Sequence, residues 1–184
     1  MGLDALALGV ILLANPYHAL TDFIAAVIIA AAARRGEDML RDFKKTSVFS
    51  YLLIAIGAME IIFNFAFSSE LLVDILTVCR YGIIAPMEIY LISGISDLAI
   101  ILENAEMHRK ATSLRRPIWV SAIMAMCLVA LAAILPAVNP VVIISKILVT
   151  FITAMIAITL YRSHKELTKP NIFPEDDEGD DEES

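Results

Sequence analysis

Apolar runs of about twenty residues recur along this chain, at 17–33, 48–68, 81–102, 117–137 and 141–161. Each is near the length needed to cross the roughly 30 Å hydrocarbon core of a bilayer. Hydrocarbon offers no water to satisfy backbone N–H and C=O groups, so such runs must close their hydrogen bonds internally as helices. The 184 residues are 59% hydrophobic, against roughly 45–50% in soluble domains. The expected fold class is therefore all-α: a polytopic membrane helix bundle with five full spans. Residues 1–169 form the bundle in this reading, and 170–184 form a disordered acidic cytoplasmic tail.

Two shorter elements complete the expectation. Residues 2–14 (GLDALALGVILLA) are apolar but short, and read as a helix packed against the outer half of the bundle, with a short sixth span as the alternative. Residues 69–80 read as an amphipathic helix on the outer surface, with Leu71, Leu72, Ile75 and Val78 turned inward and Arg80 anchored at headgroups. Asn–Pro pairs at 15–16 and 139–140 carry the signature of a helix start, with Asn as cap and Pro in the first turn.

Basic residues orient the spans. Arg34, Arg35, Arg41, Lys44 and Lys45 fill the first loop, and Arg109, Lys110, Arg115 and Arg116 the third. Arg162, Lys165 and Lys169 follow the last span, so of the 14 basic residues only Arg80 and Lys146 fall elsewhere. Lys and Arg concentrate in cytoplasmic loops, which predicts a multi-pass protein of a plasma (inner) membrane with a cytoplasmic C-terminus. The formal charge of −7 arises from the tail, since 175–184 (EDDEGDDEES) is almost wholly acidic. An acidic balance without a basic stripe excludes a nucleic-acid partner.

Ionisable residues inside the spans carry the functional signal. A charge at membrane depth costs about 2.5–3.5 kcal/mol on insertion scales, so it has a partner, a wet cavity or a task. Asp22, Glu60, Glu88 and Lys146 lie at similar predicted depths in the outer half, about 9–12 Å from the span ends at 1.5 Å per residue. Ser50, Gly57, Glu60, Asn64 and Ser68 share a face of the second span, and Lys146, Thr150 and Thr153 a face of the last. On the third span Tyr90, Ser93, Asp97 and Asn104 align while Glu88 points nearly opposite, so that span is central or broken at Pro86. Asp22, Glu60, Asn64, Glu88, Asp97 and Lys146 are thus the candidate substrate- or ion-binding residues.

Each has a structural alternative. Lys146 snorkels along its methylene stem, Glu88 complements the dipole of a helix restarted after Pro86, and Asp97 is held by neighbouring Ser and Asn side chains. Glu60, mid-helix, has no such excuse. Small-residue spacings at Ala26/Ala30 and Ala133/Ala137 permit close helix approach. Tyr81, Trp119 and Tyr161 sit where an aromatic belt is expected. The triplets Met59-Glu60-Ile61 and Met87-Glu88-Ile89 hint at internal duplication, but three residues match by chance.

Catalytic signatures are lacking: no GxSxG, HExxH, P-loop or GxGxxG occurs. Cys79 and Cys127 show no CxxC spacing and read as small apolar residues. His18, His108 and His164 are spread in a way that discourages a haem site. Glu103, Glu106 and His108 cluster at the inner end of the third span, where pairing with basic neighbours competes with a metal site. The expectation is no cofactor and no metal, with the lipid bilayer, other membrane subunits or further copies of the chain as partners. Function divides between an ion- or proton-coupled transport component and a non-catalytic anchor or accessory subunit of a larger membrane complex. An intramembrane enzyme ranks last.

Overall fold

The computed structural model describes residues 2–14, 19–38, 40–66 and 70–167. Every regular element among them is helical. Six α-helices follow in chain order: α1 (Leu3–Leu13), α2 (Ala19–Arg34), α3 (Arg41–Ala66), α4 (Glu70–Ile101), α5 (Ala105–Ala132) and α6 (Asn139–Leu167). Each helix packs on the next in sequence, and α1 packs on α6. The bundle is therefore a ring closed by its shortest helix, with α4 also touching α6 across it. Four helices, α3 to α6, are long and apolar enough to cross a membrane. This makes the chain a membrane-embedded helical protein.

Where expectation and structure differ, helix continuity is the reason. α2 has sixteen described residues, about 24 Å at 1.5 Å per residue, so five full spans are not reached by count. The segment read as a surface helix is the first third of α4, which runs unbroken from Glu70 through Pro86 to Ile101. Its phase also differs from expectation. Leu72 and Ile75 face outward, whereas Leu76, Thr77 and Arg80 are buried. Nothing between Arg80 and Tyr81 breaks a helix, so the period carries on into the span. Glu88 consequently lies mid-helix and begins no restarted turn.

α3 and α5 both start inside the basic segments read as loops, because Arg, Lys, Glu and Ala propagate a helix well. At the α4–α5 corner the chain reverses through a Schellman turn. Glu103 takes a left-handed φ of 54°, and Asn104 N–H bonds Ala99 O at 2.8 Å while Glu103 N–H bonds Ile100 O at 3.0 Å. Asn104 then caps α5 by accepting from Met107 N–H at 2.9 Å. His108 Nδ1 lies 2.9 Å from Ser96 Oγ and ties the two helices together.

α1 runs beside α2 for nearly the whole of α2, with Gly2 against Ala32 and Gly9 against Ala25 and Ile29. It is not confined to the outer half of the bundle. Ala25 and Ala32 of α2 lie against α1, and Ala25, Ala26, Ala30, Ala32 and Ala33 are all buried. Ala26 and Ala30 are thus both buried, whereas Ala133 and Ala137 lie exposed beyond α5. Across the ring, the fully buried Phe43 ring of α3 seats against Gly94 of α4. α4 is the most enclosed of the four long helices, with 61% of its apolar window buried against 28–33% for the others. That central position encloses the Glu88 face of the helix, while Asp97 on the opposite side is exposed.

Candidate functional site

A charge buried inside a helical bundle must find its partner there, and α4 carries two buried ones. Arg80 is 6% exposed, and its Nη1 donates to Asp22 Oδ2 on α2 at 2.7 Å. The same Nη1 lies 3.5 Å from Glu60 Oε2 on α3. One guanidinium therefore faces two carboxylates from two other helices, Asp22 at 3% and Glu60 at 6% exposure. The Tyr81 ring sits beside it, 5.6 Å from the guanidinium carbon. Its burial removes Tyr81 from an interfacial belt, while Trp119 and Tyr161 remain exposed.

The second charge, Glu88, stands two turns further along α4 on the face of Arg80 and Ile84, at i, i+4 and i+8. It is fully enclosed, and its Oε1 accepts from Thr153 Oγ1 of α6 at 2.8 Å. Thr153 in turn lines a cavity with Leu13, Asp22, Arg80, Lys146 and Thr150. The space open to water centres is about 20 Å³. One water needs roughly 10–15 Å³ on this measure, so the cavity suits one or two waters, or a small cation.

Lys146 is half-buried on the cavity wall. It pairs with no described acid; Arg80 takes that place. Arg80 is thus no headgroup anchor but the counter-ion of the polar layer. The planar guanidinium presents several N–H donors in a fixed fork and serves two carboxylates at once, which a single ammonium does less well.

Charge and hydrogen bonding are both left incomplete. Two buried carboxylates, Asp22 and Glu60, face one buried guanidinium; a third, Glu88, has the Thr153 hydroxyl as its partner, and the Lys146 amine stands at the margin. Asp22 Oδ1, Glu60 Oε2 and Arg80 Nε are buried without a hydrogen-bond partner among the described residues. Such orphaned atoms are uncommon, and each costs about 1–3 kcal/mol. Among the described residues no three His, Cys, Asp or Glu side chains gather to hold a metal ion.

The remaining sequence candidates fall apart. Asp97 is exposed on α4, away from the cluster, with Tyr90 and Ser93 half-exposed on the same side. The Asn64 side chain, Asn15–Pro16, His18, Ser68 and the acidic tail lie outside the described residues. Glu106 is exposed and paired with Lys110 of its own helix. Cys79 and Cys127 are free and exposed. Comparison with protein-family models, with curated proteins and with solved structures finds no match to this chain.

Proposed function

We propose that the chain is a small proton- or ion-coupled transport component of a plasma (inner) membrane, with its basic loops and C-terminus cytoplasmic. Its site is the Asp22–Glu60–Arg80–Glu88 layer with Lys146 at the edge. The observation that carries this reading is the charge excess: Asp22 and Glu60 share one enclosed guanidinium, Glu88 is enclosed against a neutral threonine hydroxyl, and a low-dielectric interior tolerates no such surplus. A proton or a small cation must make up the difference. Adding a proton to Glu60 would release its hold on Arg80 while Asp22 keeps the direct hydrogen bond. The guanidinium is then free to settle on α2, and the α3 contact loosens. That gives a site on three helices two arrangements, which coupled transport requires.

The test uses proteoliposomes with an imposed pH gradient and an internal pH dye. Wild-type protein should dissipate the gradient, and Glu60→Gln should fall to the level of empty liposomes while its circular dichroism stays unchanged. Flux that persists in Glu60→Gln at every pH would overturn the reading.

A second reading has its own support. The Arg80–Asp22 and Glu88–Thr153 contacts tie α2, α4 and α6 in one register, and buried polar groups fix register in other systems. An accessory subunit needs no more than that. Purification with an unrelated stoichiometric chain and no flux alone would favour it.

A further inference from the structure

At the basic end of the α2–α3 hairpin an open groove of about 500 Å³ lies between the two helices. Its floor is formed by Val27, Ala30 and Ala31 of α2 with Tyr51 and Ile54 of α3, and Arg34 and Arg35 stand at its mouth. The alanines make the trough: with only a methyl on α2, the hairpin leaves its outer seam unfilled. The apolar stripe also continues past the groove. Leu20, Ile24 and Val27 are 60%, 44% and 43% exposed, and with Ala31 they follow i, i+4, i+7, i+11 along one face of α2. That stripe is about 16 Å long at 1.5 Å per residue, the scale of an extended acyl chain.

Neither arginine forms an ion pair with a described residue, although Glu37 and Asp38 stand in the turn that follows. Further cations lie across the hairpin at Arg41, Lys44 and Lys45, of which only Lys45 forms an ion pair among the described residues, with Asp42 at 3.1 Å. Arginine forks match phosphate oxygens in bidentate geometry, and basic clusters at the end of a membrane helix attract anionic lipid. An apolar trough leading to two uncommitted guanidinium groups is thus complementary to one molecule with an anionic head and an apolar tail. We infer that this groove binds a single anionic phospholipid, its phosphate on Arg34 and Arg35 and one acyl chain along the α2 stripe. The inference does not depend on the transport reading.

The probe is phosphatidylglycerol added to the full chain in neutral detergent, read as a shift in melting temperature and as a retained lipid in native mass spectrometry. One lipid should remain bound and the melting temperature should rise. Arg34→Gln/Arg35→Gln should weaken binding by about tenfold or more, as expected for losing charge-assisted contacts. Ala31→Phe, which fills the trough and keeps both charges, should abolish retention of the lipid. Arg115→Gln/Arg116→Gln, removing the same charge from α5, should leave both readouts unchanged. Equal stabilisation by phosphatidylcholine, equal loss in the α5 variant, or an equal shift with inorganic phosphate alone would each overturn the inference. If proteoliposome flux fails while these results hold, the lipid site stands and the transport reading falls.

Discussion

Replacing Arg80 with methionine is expected to cost the bundle about 3–5 kcal/mol, the usual penalty for leaving a buried charge without its partner. Two carboxylates lose their counter-ion at once, since Asp22 and Glu60 both face the same nitrogen. The triple variant Asp22→Asn/Glu60→Gln/Arg80→Met removes all three charges and should recover most of that loss. Well-packed neutral replacements of buried ion pairs are often neutral or stabilising. Unfolding in mixed micelles titrated with a denaturing detergent measures both. A cost under about 1 kcal/mol for Arg80→Met, the range of exposed ion pairs, would mean that the cluster is solvated or does not form.

The second large effect is expected at Gly9, where α1 closes the ring. A β-carbon there would lie 2.6 Å from Ile29 Cγ1, 3.2 Å from the Ala25 carbonyl oxygen and 3.3 Å from Ile28 Cγ2. The first contact needs the fully buried Ile29 to change place, and the second is with backbone that cannot swing aside. Overpacking of this kind costs about 1–3 kcal/mol, and Gly9→Leu adds three further carbons to the same seam. Gly82→Ala is the control, since its β-carbon meets only Met126 Sδ at 3.5 Å, an ordinary contact. Gly9→Leu should lower the melting temperature clearly and Gly82→Ala hardly at all. Because Leu13 of α1 walls the polar cavity, Gly9→Leu should also admit water-soluble thiol reagents to a cysteine placed at Thr150. Equal stability of the two variants would show that α1 is not a closing element.

The fold class was legible because apolar runs and helical period are local signals, and α3 to α6 follow them. The buried acids were legible for an energetic reason: Asp22, Glu60 and Glu88 sit in apolar sequence where only a partner makes them tolerable. Their partner was not. Arg80 stands next to Tyr81 at the edge of a hydropathy window, and a basic residue at such an edge reads as a headgroup anchor. A signal did exist, since Thr77, Arg80, Ile84 and Glu88 share one face of a single uninterrupted helix. Following phase through the apparent boundary would have turned Arg80 inward. Depth and helical face place Lys146 level with the acids, with snorkelling as the alternative, and neither says which cation reaches two acids. Asp97 failed differently: it shares a face with Tyr90 and Ser93, but on α4 that face is turned away from the cavity.

The central claim is that the Asp22–Glu60–Glu88 carboxylates together carry more negative charge than Arg80 neutralises, so the cluster holds a proton or a cation. Infrared difference spectroscopy of the chain at neutral pH, wild type against Glu60→Gln and Glu88→Gln, reads this directly. The account predicts the carbonyl stretch of a protonated carboxylic acid, lost in one of the variants, or the same band appearing when a bound cation is removed. Three fully ionised carboxylates with no cation bound would contradict it.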